Sequence, residues 1–152
     1  MGETFEAGAQ GAVPTPRHVW IVGVVSLMWN AMGAVDYTMT ETRNPAYLKM
    51  MDPAQMAWVA NFPAWAVGAW ALGVWGAVAG SVLLLMRNRH AVTAFIISLV
   101  GLAGTTLFTY VVSPPPAQYR GAANLGMTAA LWAIAIGLLL YSRSMRARGV
   151  LR

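Results

Sequence analysis

The chain of 152 residues has no cysteine. Disulfides, thiolate metal sites and cysteine nucleophiles are therefore excluded. Charge is nearly as scarce. Only 10% of residues are Asp, Glu, Lys or Arg, against about 25% in an average soluble domain. Such a chain cannot cover a soluble surface with charge. Disorder is excluded as well, because 58% of residues are hydrophobic and disordered chains are poor in them. Recognisable catalytic patterns are also missing. Gly101-Leu-Ala-Gly104 lies inside an apolar run and is no phosphate loop. There is no serine-triad signature. His18 and His90 lack helical ligand spacing and have no supporting carboxylate pair, so no metal, haem or other cofactor is expected. No acid or histidine chain runs through the apolar segments, as a proton relay needs.

What is present is apolar sequence in long runs. A spanning helix needs about 20 apolar residues. Four segments qualify, at about 18–37, 64–86, 91–112 and 122–141, and the second and third contain no ionisable residue. The expected fold is an all-α integral membrane four-helix bundle, a transmembrane domain over 17–142. Residues 1–16 read as a flexible tail and 143–152 as a basic tail. Arg87 to His90 separate the second and third spans and predict a tight helical hairpin.

Lys and Arg near the helix ends predict orientation. Four spans put both termini on one side. That side carries Arg17, Arg87, Arg89, Arg143, Arg146, Arg148 and Arg152, against Arg43, Lys49 and Arg120 on the other. Both termini are expected to be cytoplasmic. The formal net charge of +5 thus describes topology and not nucleic-acid binding. Arg17, the apolar run Val19 to Trp29 and the small residues Ala31, Gly33 and Ala34 loosely resemble a signal peptide. Glu3 and Glu6, and the apolar run continuing to Val35, argue for a retained helix.

The loop after the first span contains two helix-start signals, Asn44-Pro45 and Asp52-Pro53-Ala54-Gln55. They predict short helices over Pro45 to Met51 and Pro53 to Asn61, an external cap between the first and second spans. Tyr47, Leu48, Met50, Met56, Trp58 and Phe62 make the cap partly apolar, suited to the membrane boundary. After the third span, Pro114 to Pro116 fix an extended segment.

Small residues repeat at spacings of three or four on the second, third and fourth spans, among them Gly126, Ala130, Ala133 and Gly137. Such faces let helices pack closely in lipid, so a compact bundle is expected. The first span has the polar face Gly23, Ser26, Asn30, Gly33 and Tyr37. Asn30 lies about 20 Å along it and should face the bundle. Asn30, Asp36, Tyr37, Glu41, Tyr110 and Arg120 are the candidate polar site, the last five surrounding a small mouth on the outer side. The bland alternative is that Asn30 clips two helices together and Asp36 pairs with a nearby cation.

Trp29-Asn30-Ala-Met-Gly33-Ala-Val-Asp36-Tyr37, Thr40, Tyr47-Leu48, Pro63-Ala-Trp65 and Ala69-Trp70-Ala71 resemble a family of small uncharacterised bacterial inner-membrane proteins, commonly labelled sugar transporters. The resemblance covers roughly residues 18–112. It implies a multi-pass protein of a bacterial inner membrane and a transport role, and it assigns no functional residue. Three functions are expected, in this order. The first is an accessory or scaffold protein working through helix packing with the bilayer, its own copies or a larger membrane complex. The second is a small solute transporter or pore working as an oligomer. The third is a membrane enzyme using Asp36 or Glu41 under the cap.

Overall fold

The computed structural model describes residues 14–152, so the expected tail over 1–16 lies almost wholly outside the described residues. The described chain is helix and turn, with no strand. α1 spans Arg17–Glu41, α2 Pro45–Leu48, α3 Pro53–Ala60, α4 Ala64–Leu85, α5 Ala91–Leu107 and α6 Ala122–Ala147. A π-helical turn, Phe108–Val112, continues α5. With that turn counted, four helices are long and apolar enough to cross a bilayer, as in a multi-pass membrane protein.

Local chemistry sets the boundaries. Asn44 caps α2, its side-chain oxygen accepting from the N–H of Ala46 (3.1 Å) and Tyr47 (3.2 Å). Asp52 caps α3 through the N–H of Ala54 at 2.8 Å. In both, proline follows at the first helical position, where its missing N–H costs nothing. α2 stops at Leu48, short of the expected Met51, because the chain turns through Lys49 to Met51 to place Asp52. At the other ends a left-handed residue follows the helix: Arg43 (φ 50°) after α1, Arg87 (φ 56°) after α4 and Gly149 (φ 71°) after α6. The next amide reaches back five residues each time, Asn44 to Met39, Asn88 to Leu83 and Val150 to Met145. This is the Schellman closure, and glycine usually occupies its left-handed position.

The packing order is α1, α4, α5, α6, with α4 and α5 closest. Gly73, Gly76 and Gly80 make that closeness possible. A Cβ on Gly76 would come within 2.9 Å of the Ser98 amide, and one on Gly80 within 2.7 Å of the Phe95 ring. A Cβ on Gly101 would overlap the backbone of Gly73. α1 lies against the other side of α4. α6 is tied to α5 by Trp132 Nε1 donating to Thr106 Oγ1 at 3.1 Å, and by Tyr110 and Thr128 hydroxyls 2.8 Å apart.

α1 and α6 meet at the end that holds the α4–α5 turn. There Val19, Leu84, Phe95, Leu138 and Met145 form a buried cluster. Residues 143–152, expected as a basic tail, behave differently. α6 runs on to Ala147, and Val150 and Leu151 turn back into the cluster. The Arg152 backbone then bonds the hairpin turn, its N–H to Arg87 O (2.8 Å) and its carbonyl from the Arg89 N–H (2.9 Å). Away from this end the expected compactness is missing. Gly126 and Gly137 on α6, and Gly68 on α4, have no neighbour within 4 Å of a would-be Cβ.

Gly101→Ala is expected to destabilise the protein by about 3 kcal/mol, the upper range of core overpacking. Gly137→Ala should leave stability unchanged or raise it, because space is free and alanine favours helix. Thermal unfolding of the purified variants in detergent measures both.

Candidate functional site

Asn30 is the polar centre of α1, and its amide crosses to α4. Nδ2 donates to Ser81 Oγ at 2.9 Å and to Ala77 O at 3.3 Å, while Ser81 Oγ donates to the same Ala77 carbonyl at 2.9 Å. This three-way knot explains why an amide sits so deep in an apolar helix. Ala77 and Ser81 therefore face α1, while Gly73, Gly76 and Gly80 face α5.

Beside the knot lies a cleft of about 310 Å³ lined by all four long helices. Asn30, Asp36, Ser98 and Thr105 supply its polar lining. Each is already engaged within the protein. Ser98 Oγ donates to Gly73 O at 2.6 Å, Thr105 Oγ1 donates to Gly101 O at 3.0 Å, and Asp36 accepts the Tyr47 hydroxyl. The rest of the wall is apolar and aromatic, with Trp29, Trp70 and Leu131 prominent. Such a surface suits hydrocarbon or another helix better than a hydrophilic solute.

The six residues of the candidate polar site are dispersed. Asn30 and Asp36 line the cleft. Tyr37 packs edge-on against Trp70, ring centroids 5.1 Å apart. Glu41 lines a separate cavity under the cap. Tyr110 bonds Thr128, and Arg120 Nε donates to Pro115 O at 2.6 Å. Arg120 is held there because prolines offer carbonyls but no N–H, so that carbonyl takes a side-chain donor. His18 Nδ1 lies 2.6 Å from the Tyr141 hydroxyl, a link between α1 and α6.

The α2–α3 segment, called the cap here only for its place between α1 and α4, is tied down at several points. Asp36 and Tyr47 join α1 to α2. Trp58 Nε1 donates to Ser113 O at 2.9 Å, and Gln118 Nε2 donates to Asp52 Oδ1 at 3.2 Å. Beneath it Trp58, Phe62, Phe108 and Trp65 form an edge-to-face chain with centroids 4.6–5.5 Å apart. The hydrogen bond to the Asp36 carboxylate, then burial, then the carboxylate's charge push the Tyr47 phenol up to about 12. The cap cavity also places Thr40 and Arg43 beside Glu41. Neither residue is singled out by sequence reasoning as part of a site, because their proximity depends on how the cap folds over.

Asn30→Ala should cost about 1 kcal/mol, as interhelical polar bonds in membranes do, read from thermal unfolding in detergent. The bond of Tyr47 favours the neutral phenol. Its contribution to holding the cap is complete below the ordinary tyrosine value near 10 and is lost as pH rises through about 12. Absorbance titration at alkaline pH should show one tyrosine, absent in Tyr47→Phe, that moves back toward 10 in Asp36→Asn.

No protein-family model, curated protein or solved structure matches this chain.

Proposed function

We propose that the protein is an accessory protein of a bacterial inner membrane, with both termini cytoplasmic and the cap outside, that works by packing against a second copy of itself. The carrying observation is the state of α6. Only 6% of its most apolar stretch is buried inside the chain. Gly126, Ala130, Ala133 and Gly137 repeat at four, three and four residues, and the two glycines touch nothing. Two such faces, one from each copy, can approach to backbone contact, the same means by which α4 and α5 hold together. No charged side chain lies between Ala122 and Tyr141 to oppose the approach. The excess of arginine at the terminal end supports the orientation. A path for a hydrophilic solute is less well supported, because the polar groups of the cleft are already engaged in the fold.

In lipid nanodiscs the wild-type protein should be dimeric by single-particle mass measurement. Gly126→Leu with Gly137→Leu should give monomers that keep the wild-type helical content, since neither site has a neighbour within the chain. Wild-type protein found only as monomers at every protein-to-lipid ratio would overturn the proposal.

A further inference from the structure

The fold draws most of its arginines to one end. Arg17 opens α1, and Arg87 and Arg89 lie in the turn between α4 and α5. Arg143 and Arg146 lie in the last turns of α6, and Arg148 and Arg152 follow it. All of them are exposed. The chain supplies little to balance them. Asp36 lies about 28 Å further along α1 than Arg17, Glu41 ends that helix and Asp52 caps α3. The remaining acids, Glu3 and Glu6, lie outside the described residues and are too few to neutralise the arginines.

Three of these arginines are held together by the backbone. Val150 and Leu151 are buried and carry Arg152 back onto the hairpin turn. The Arg152 N–H donates to the Arg87 carbonyl at 2.8 Å, and the Arg89 N–H donates to the Arg152 carbonyl at 2.9 Å. Like charges fixed so close repel one another. Arg87 also has a left-handed backbone, φ 56°, where glycine would close α4 with less strain. Its guanidinium donates to Thr15 Oγ1 at 2.7 Å. An arginine presents several N–H donors in a planar fork, so most donors of this cluster have no acceptor among the described residues.

An apolar stripe leads to the cluster. Leu72, Trp75, Val82 and Met86 are all exposed. Their spacings of three, seven and four place them on one face of α4 and its cap. The stripe is about 21 Å long and ends next to Arg87. That length exceeds half of a hydrocarbon layer about 30 Å thick.

We infer that Arg87, Arg89 and Arg152 bind the phosphate of an anionic phospholipid, with an acyl chain lying along the α4 stripe. Guanidinium forks match phosphate oxygens two at a time. A zwitterionic headgroup would bring its own cation into the cluster, and a soluble anion would make no use of the stripe. The anionic lipid satisfies both. The site includes no residue of the Gly126–Gly137 face, so it stands independently of self-association.

The test uses the full chain in detergent. Phosphatidylglycerol and phosphatidylcholine of equal chain length are titrated, and bound lipid is read by native mass spectrometry. The wild type should bind phosphatidylglycerol about tenfold more tightly, or better, given the attraction of each arginine to anionic lipid. Arg87→Gln, Arg89→Gln and Arg152→Gln together should abolish that preference. Arg43→Gln, Lys49→Gln and Arg120→Gln remove as much charge at the other end and should leave it intact. Arg87→Gly relieves the strained backbone, so it should unfold no lower than wild type yet bind phosphatidylglycerol about fivefold more weakly. Glycerol phosphate should displace no lipid, having no chain to lie on the stripe. The inference is overturned if the wild type shows no preference, if the first triple variant keeps it, or if the second loses it equally. Displacement by glycerol phosphate would identify a soluble anion instead. Tighter lipid binding, by about tenfold, in Glu3→Gln with Glu6→Gln would show that the chain's own acids occupy the cluster. Either result also overturns the inference.

Discussion

The close approach of α4 and α5 at Gly73 and Gly101 governs the rest of the bundle. In a bilayer, burying an apolar side chain against another helix gains little over leaving it in lipid, so helices must be held by short-range contact. Here the two backbones touch, with no Cβ between them. Ser98 adds a hydrogen bond to the Gly73 carbonyl at the same level. The short turn from Met86 to His90 fixes the pair in register. α1 and α6 are then placed on opposite flanks of a rigid hairpin, and the cleft between them follows from that order.

The same solvent explains the behaviour of the polar side chains. Hydrocarbon offers no hydrogen-bond partner. The hydroxyls of Ser26, Thr38, Thr105, Thr106 and Ser142 accordingly donate to carbonyls of their own helices. Asn30 has two donors and a longer reach, so it serves a neighbouring helix instead. Against this pattern Thr40 is conspicuous. It lies in the last turn of α1, and it is the described residue whose buried side-chain oxygen lacks a partner.

The sequence was legible wherever one helix or one turn decides the outcome. The four apolar runs, the caps at Asn44 and Asp52 and the inward direction of Asn30 all depend on local pattern, and the helices form where those patterns lie. Gly101 was readable as a packing residue, but not as the point where two backbones meet. The grouping of Asp36, Tyr37, Glu41, Tyr110 and Arg120 was not readable, because each finds its partner through the fold of loops. Arg120 is claimed by Pro115 five residues away, and Glu41 by a separate cavity formed with α2 and α3. The turned-back end of α6 carries its own sequence signal: Gly149 followed by the apolar pair Val150-Leu151 is the pattern of a Schellman closure with its hydrophobic contact.

The attachment of α6 is uneven. Its terminal end is latched by Val150, Leu151 and the Arg152 backbone, two hydrogen bonds tie it to α5 further along, and most of its apolar length is left uncovered. The apolar part from Ala122 to Tyr141 measures about 30 Å, matched to an average hydrocarbon layer. A thinner layer leaves a mismatch that tilt of the helix or local thickening of the bilayer absorbs. The backbone contact between α4 and α5 leaves that pair little room to adjust, so the adjustment falls first on the least covered helix.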